Sequence, residues 1–171
     1  MNKTLEIKLL SDSATMPVRS HATDAGFDIF AAETKIIRPQ YKDKVATDVA
    51  VNIPKGYVGL LTSRSGVSSK THLVIETGKI DAGFQGNMQI NIKNDDTIKN
   101  NLRYDTALNI SGETVKRVDG EKDYENCYQI LKGDKLAQLV IVPIWTPDLK
   151  QVEEFESETA RGNNGFGSTG I

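Results

Sequence analysis

The sequence predicts an all-β protein, a barrel or sandwich built of many short strands. Apolar residues recur with a period of two, Gly and Pro interrupt these runs at short intervals, and few windows are long enough for a helix. A chain of 171 residues can bury a sizeable core, and we expect one domain over residues 1–171.

The strands are predicted from alternation, taken in chain order. Apolar and polar residues alternate in three segments, and one further segment is almost continuously apolar. These segments are Leu5 to Leu9, Val45 to Ile53, Met88 to Ile92, and Leu136 to Trp145. The one short helix that the sequence favours covers Ser65 to Lys70, directly after Arg64.

Composition excludes several classes of protein. The formal net charge of −2 gives no basic field for binding DNA or RNA directly. The single cysteine, Cys127, excludes an internal disulfide framework and fits a reducing compartment. No apolar run approaches the roughly 18 residues of a membrane span, and the N-terminus lacks a signal-peptide pattern. We therefore expect a soluble, intracellular protein with no membrane partner.

A polar stretch from about residue 95 to 128 interrupts the strand pattern. It is rich in Asn, Asp, Lys and Glu, and alternation around Ala107 to Ser111 allows a short strand within it. Connections this long inside a compact domain are uncommon and are usually functional or disordered. We interpret it as an insertion attached to the barrel.

Four polar segments and the C-terminus carry the residues suited to chemistry. They are Ala25–Ile29 around Asp28, Arg64-Ser65-Gly66, Gly78–Gly86 with Asp81 and Phe84, Gly133–Gln138, and the tail Arg161–Ile171 with Arg161, Phe166, Gly167 and Ser168.

Each segment has a chemical and a structural interpretation. A carboxylate amid apolar residues, such as Asp28, needs a partner or a cation, although it could also cap a turn. Arg64 followed by hydroxyl and helix N–H groups suits an anion. Asp81 could take a proton from water, although the glycine-rich segment around it also reads as an ordinary hairpin. The tail combines Arg, Gly and an aromatic ring, which suits a nucleotide, but a plain terminal tail explains it too.

The ordered set of segments resembles the five motifs of the homotrimeric dUTPase (deoxyuridine triphosphate nucleotidohydrolase) family, over most of the chain. The polar insertion further resembles the dUTPases of staphylococcal phages. The resemblance implies a distorted antiparallel β-barrel or jelly roll with a flexible C-terminal arm over 161–171.

The resemblance also implies a reaction, the hydrolysis of dUTP to dUMP and pyrophosphate with Mg²⁺. Asp81 would activate the water that attacks the α-phosphorus, and Asp28 would hold the magnesium ion through water. The activity would keep uracil out of DNA and supply dUMP for dTMP synthesis.

The remaining site residues follow from the same resemblance. Arg64, Ser65, Gly66 and Gln138 would contact phosphates; Gly78, Lys79, Ile80 and Gln89 would read uracil through main-chain groups; Phe84 would pack on deoxyribose; Arg161, Phe166, Gly167 and Ser168 would close over the nucleotide.

Two residues depart from the family pattern. Phe84 stands where the family usually has Tyr, so the ring should still exclude ribose but lacks the phenol hydroxyl. Gln89 stands where a small residue is frequent, and its effect depends on whether its side chain folds inward. We expect selectivity for dUTP over UTP to be kept.

The resemblance further implies a homotrimer in the cytoplasm of a bacterial host cell. It also implies a second role, in which the insertion binds a repressor of mobile pathogenicity islands. Two alternatives remain open: a dCTP deaminase of the same superfamily, and a regulatory protein-binding module whose nucleotide site is silent.

Overall fold

The computed structural model describes residues 4–157, 159 and 162. Within this part of the chain, thirteen strands and one helix form the secondary structure. In chain order they are β1 (Glu6–Leu9), β2 (Gly26–Phe30), β3 (Lys35–Ile37), β4 (Lys42–Ala46), β5 (Val49–Asn52), β6 (Tyr57–Ser63), α1 (Ser65–Lys70), β7 (Leu73–Ile75), β8 (Gly78–Ile80), β9 (Gln89–Asn94), β10 (Thr106–Leu108), β11 (Thr114–Lys116), β12 (Tyr128–Ile130) and β13 (Lys135–Pro143). The predicted all-β fold and the position of the helix are confirmed.

The strands form four sheets in the described residues. Their orders are β1-β5, β11-β10-β12-β3, β2-β13-β6-β8 and β4-β9-β7. Every pairing is antiparallel except the short contact between β10 and β12. Strands that are distant in sequence pair repeatedly, as β2 does with β13, so each sheet joins distant parts of the chain.

The core is made by the inward residues of these strands. Ile29, Val45, Leu61, Ile90 and Leu139 are at most 2% exposed and lie in one cluster that draws on all four sheets. Burying an aliphatic side chain of this size stabilises the fold by about 1.5–3 kcal/mol. The apolar positions of the alternating segments are therefore the residues that form this core.

The alternating segment from Val45 to Ile53 forms two strands instead of one. β4 ends at Ala46 and β5 begins at Val49, and Asp48 between them has a φ of 52°. A non-glycine residue with positive φ is uncommon and marks a turn. The five alternating positions are nevertheless all buried, because the chain re-enters the core after the turn.

The segment Gly78–Gly86 is not a hairpin, contrary to the sequence interpretation. β8 pairs with β6, whereas β9 pairs with β4 and β7, so the two strands belong to different sheets. Eight residues, 81–88, cross between the sheets, which is longer than the usual two to five residues of a hairpin loop. This connection is called the 81–88 loop below.

The insertion is integrated into the fold, not merely attached to it. It contributes β10 and β11, and the order β11-β10-β12-β3 continues it into a strand of the barrel. Buried charged residues, Arg117 and Asp123, lie within it. None of the helices in the described residues is long and apolar enough to cross a membrane.

Candidate functional site

Asp28 is the centre of a polar cluster in the sheet β2-β13-β6-β8. It is paired across strands with Gln138, and Gln138 is paired with Thr62 on the next strand. Arg64 directly follows β6. The register of three strands therefore brings together residues that are far apart in the sequence.

Three side chains converge on the Asp28 carboxylate. Arg64 Nε donates to Oδ1 at 2.9 Å and Gln138 Nε2 donates to the same oxygen at 3.3 Å. Lys135 Nζ lies 3.1 Å from Oδ2. Arg64 also donates through a second nitrogen to the backbone carbonyl of Lys135 at 3.2 Å, so its guanidinium is held in one orientation.

The Asp28 carboxylate stays ionised at neutral pH. Its burial, with 3% exposed, acts to raise its pKa, but Lys135, Gln138 and the Arg64 guanidinium outweigh burial and hold the pKa below its ordinary value. Oδ2 is buried and ion-paired with the Lys135 ammonium at 3.1 Å. A carboxylate oxygen has two lone pairs, so Oδ2 can accept from one further donor.

Lys135 belongs to this cluster, and the sequence interpretation missed it. In a regular strand, positions 135 and 138 point to opposite faces, because side chains alternate. The pairing of β13 with β2 shifts register between Lys135 and Ala137, as in a β-bulge. A bulge can bring both side chains to the same face. The sequence signal that could have identified it is its position inside the polar segment Gly133–Gln138, three residues before Gln138.

Ser65 and Gly66 are exposed at the start of α1, and Val67 behind them is buried in the core. Arg64 occupies the N-cap position without a capping side-chain hydrogen bond, because a guanidinium has no acceptor for the helix N–H groups. Its guanidinium instead donates to Asp28. Of the four residues predicted to contact phosphates, Ser65 and Gly66 are exposed. Arg64 and Gln138 are hydrogen-bonded to the buried Asp28 carboxylate.

The strand predicted to read the base, Gly78–Ile80, lies at the end of its sheet. β8 pairs with β6 through Gly78, Lys79 and Ile80. As the last strand in the order β2-β13-β6-β8, it offers its outer backbone edge to another partner. Such an edge suits a ligand that is recognised through main-chain groups.

Asp81 and Phe84 are exposed in the 81–88 loop, directly after that edge. Phe84 is 44% exposed, so its ring is accessible to a ligand. Gly83 has a φ of +92°, and a Cβ on Gly86 would lie 3.0 Å from Phe84 Cζ. The loop therefore bends at one glycine and makes room for the ring at another.

Gln89 lies at the far end of the 81–88 loop, in another sheet. It is exposed at the start of β9 and pairs with Ala46 of β4. Its side chain lines an open groove with Lys44 and Asn91, among other residues. Its role in reading uracil stays a prediction. Because the Gln89 side chain is exposed, contact with uracil through its backbone alone is favoured over contact through an inward side chain.

The remaining predicted residues, Arg161, Phe166, Gly167 and Ser168, lie outside the described residues. A half-open pocket of about 270 Å³ lies elsewhere, between β3, β4 and the insertion, with Arg38, Arg117 and Asp123 in its lining.

The chain belongs to the dUTPase family, whose sequence model matches residues 12–103 and 125–170. The unmatched part, 104–124, falls inside the insertion. The family and the enzyme class, a deoxyuridine 5'-triphosphate nucleotidohydrolase, are thereby confirmed.

Individual relatives match over nearly the whole chain. The deoxyuridine 5'-triphosphate nucleotidohydrolases of Debaryomyces hansenii and Clostridium tetani are each 34% identical over 169 residues, covering 98% of this chain and 88% and 97% of theirs. A variant of the Staphylococcus bacteriophage 80alpha dUTPase, solved with dUpNHpp, is 60% identical with a TM-score of 0.91, over 99% of this chain and all of that one. A dUTPase variant from phage phi11 of S. aureus is 62% identical with a TM-score of 0.86, and the match covers 90% of this chain and 99% of that one.

Proposed function

We propose that the chain hydrolyses dUTP to dUMP and pyrophosphate by attack of water on the α-phosphorus, with Asp81 as the base. The oxygen of water forms a bond to the α-phosphorus, the bond to the α–β bridging oxygen breaks, and Asp81 takes the proton. The observation that carries this assignment is the exposed carboxylate directly after the free edge of β8. A carboxylate is a suitable base when it lies within hydrogen-bond reach of the water.

Substrate contacts are proposed around this centre. The main-chain edge of Gly78, Lys79 and Ile80 would read uracil together with the backbone of Gln89, and Phe84 would pack on deoxyribose. A cytosine presents its donor and acceptor reversed, which leaves buried groups unpaired at about 1–3 kcal/mol each.

The phosphates would lie against α1 and the Asp28 cluster. Ser65 and Gly66 are exposed there, and Arg64 and Gln138 are oriented by Asp28. The arm residues Arg161, Phe166, Gly167 and Ser168 would close over the γ-phosphate and the base. A held guanidinium loses less freedom when it binds a phosphate.

Magnesium is the proposed cofactor, and the residues fit it through water. The described part of the chain has no group of three or more His, Cys, Asp or Glu that could hold a metal ion. Mg²⁺ keeps several waters and binds substrate phosphates readily, so it needs few protein ligands. Oδ2 of Asp28 is paired with Lys135 at 3.1 Å, and its second lone pair can accept from one such water. When bound, the ion neutralises phosphate charge; the phi11 dUTPase was solved in a study of a structural Mg(II) ion.

The test uses Asp81→Asn and ¹⁸O-labelled water. We expect label in dUMP and none in pyrophosphate for the unchanged chain, and a loss of turnover of at least about 10²-fold in the variant. Asp12→Asn, an exposed carboxylate remote in sequence, is the matched control and should keep full activity. Label in pyrophosphate, or normal turnover by Asp81→Asn, would contradict the mechanism. Chelation by EDTA should stop turnover, and added Mg²⁺ should restore it.

A homotrimer is proposed as the active assembly. The segment after β13 carries Trp145, Leu149 and Phe155, which are 88%, 97% and 86% exposed. Large apolar side chains in such a state suit contact with another copy. Light scattering should give three times 18.8 kDa. Deleting residues 161–171 should leave the trimer folded and nearly inactive; an active monomer would contradict the proposal.

A second proposed role is binding of a pathogenicity-island repressor through the insertion. Structures of 80alpha dUTPase come from work on phage dUTPases that control transfer of virulence genes, and on the SaPI-inducing capacity of the phage 80 enzyme. In this chain Leu102 and Val118 of the insertion are 63% and 62% exposed. Changing both to Ser should weaken repressor binding and leave dUTP turnover unchanged. Val74→Ser, at the one exposed position of β7 and outside the insertion, is the control. Binding that survives the double change would contradict the assignment.

The dCTP deaminase alternative predicts ammonia from dCTP, which a coupled ammonia assay would detect. We further propose that the enzyme acts in the cytoplasm of a bacterial host, where it keeps uracil out of DNA and supplies dUMP for dTMP synthesis. Fractionation of host cells that produce the protein, with dUTP turnover as the readout, tests this location.

A further inference from the structure

The 81–88 loop is held by one neighbouring segment of the chain, residues 47–52. Met88 donates its backbone N–H to the Val49 carbonyl at 2.9 Å, and its own carbonyl accepts from the Thr47 hydroxyl at 2.8 Å. Two side chains of the loop, Gln85 and Asn87, also bond to this segment. Hydrogen bonds to residues 47–52 thus fix the position of the 81–88 loop, most of which is exposed.

Asp48 and Asn87 form a reciprocal pair at this boundary. Asn87 Nδ2 donates to Asp48 Oδ1 at 2.7 Å, and the Asp48 backbone N–H donates to Asn87 Oδ1 at 3.0 Å. The second carboxylate oxygen of Asp48 accepts from the Ser11 hydroxyl at 2.6 Å. The carboxylate therefore links three separate segments of the chain.

The backbone at Asp48 restricts which residues fit there. Its φ of 52° is the left-handed conformation, which Gly, Asn and Asp adopt more readily than other residues. An acidic side chain at such a position is useful for the hydrogen bonds that it makes. Here those bonds run to the loop and to the N-terminal segment.

A second link lies two residues earlier in the loop. Gln85 Nε2 donates to Asn52 Oδ1 at 3.0 Å, and Asn52 Nδ2 donates to Glu6 Oε2 at 2.7 Å. Gly86 is therefore fixed between two anchored residues, Gln85 and Asn87. The Phe84 ring lies against Gly86, because a Cβ there would be 3.0 Å from Phe84 Cζ.

We infer that Asp48 and Asn87 are positioning residues that hold Gly86, and through it the Phe84 ring, where the ring discriminates between deoxyribose and ribose. The inference rests on the proposed role of Phe84 in packing on the sugar. Neither residue needs to touch the nucleotide. Their effect is on the ratio of kcat/KM for dUTP to kcat/KM for UTP, more than on the chemical step.

The experiment measures that ratio in four variants of the full chain. Asp48→Gly removes the carboxylate while it keeps the left-handed backbone, and Asn87→Ala removes the partner. Each should lower the ratio roughly tenfold, because a small displacement of a positioned group is costly in discrimination. Asp48→Asn keeps an acceptor and tolerates the same φ, so it should preserve the ratio. Because the two residues act as one pair, the double variant should lower the ratio no further than either single change.

Two controls separate the possible failures. Asn109→Ala removes an asparagine that closes a turn in the insertion, with backbone bonds at 2.9 and 3.0 Å, and should lower Tm without altering the ratio. Phe84→Ala tests the underlying role: if it leaves the ratio unchanged, the assignment of Phe84 is wrong. If Phe84→Ala lowers the ratio but Asp48→Gly and Asn87→Ala do not, the pair is only structural and the inference is overturned.

Discussion

Replacing Asp123 by Asn should destabilise the protein by about 3 kcal/mol, the lower part of the range for breaking a buried ion pair. The Asp123 side chain is 5% exposed and accepts from Arg38 Nε at 2.6 Å. Arg103 and Arg117 each approach it to 3.5 Å. Arg117 is itself buried, and after the change its remaining anionic partner among the described residues is the exposed Asp119.

The size of the stability loss depends on how well the arginines that lose Asp123 can be solvated. Arg38 is half exposed and can be rehydrated, which argues against the upper end of the range. For a chain of this length, 3 kcal/mol corresponds to a Tm lower by about 6–12 °C. The Asp123 cluster joins the end of β3 to the insertion. We therefore expect the insertion to unfold locally before the rest of the chain in the Asp123→Asn variant.

The assay is thermal unfolding at a fixed protomer concentration, with Asp119→Asn as the matched control. Asp119 is 37% exposed, so solvent screening should limit its loss to about 1 kcal/mol or less. Turnover of dUTP at 25 °C should be unchanged in both, since the cluster shares no residue with the proposed site. A loss of stability in Asp123→Asn no larger than that in Asp119→Asn would show that the buried carboxylate contributes no more than an exposed one.

The same comparison has a defined pH dependence. Burial of Asp123 acts to raise its pKa, but the bond from Arg38, the Tyr124 N–H and the nearby arginine charges lower it below its ordinary value. Its stabilising contribution is therefore complete above the unfolded pKa of about 3.9 and is lost as pH falls through the folded pKa. The Tm difference between the unchanged chain and Asp123→Asn should narrow only below about pH 4.

Three further outcomes are expected. Gly86→Ala should displace the Phe84 ring, which lies 3.0 Å from the new methyl group, and lower the preference for dUTP over UTP several-fold in steady-state kinetics. Arg64→Lys keeps the charge but cannot reproduce both bonds to Asp28 and the Lys135 carbonyl, so kcat/KM for dUTP should fall by about tenfold or more. Burial raises the pKa of Cys127 to about 11, so a thiol reagent at pH 8 should label it only in denaturant, as mass spectrometry would report.

The sequence predicted the parts of the fold that depend on local pattern. Period-two alternation identified the core strands, and the residues after Arg64 identified α1. It also predicted that Asp28 requires a partner, and the structure supplies Arg64 and Gln138. Convergence of these residues could be anticipated only from the order of the family motifs, because strand pairing is not visible in composition.

The parts that the sequence did not predict depend on tertiary context. A register shift in β13 accounts for the place of Lys135, and the two sheets joined by the 81–88 loop account for the incorrect hairpin. The insertion reads as polar and exposed, yet Asp123 is buried against Arg38, which is 85 positions away in the chain. Local polarity cannot reveal a distant partner that makes burial of a charge tolerable.

The proposed specificity is tested most directly by pyrophosphate release from the purified chain with Mg²⁺ and dUTP, dCTP, dTTP or UTP supplied separately. We predict rapid release with dUTP and little with the other three, since the edge of β8 is proposed to read the base and Phe84 the sugar. Equal kcat/KM for dUTP and UTP, or no release from any of the four by a folded trimer, would contradict this prediction.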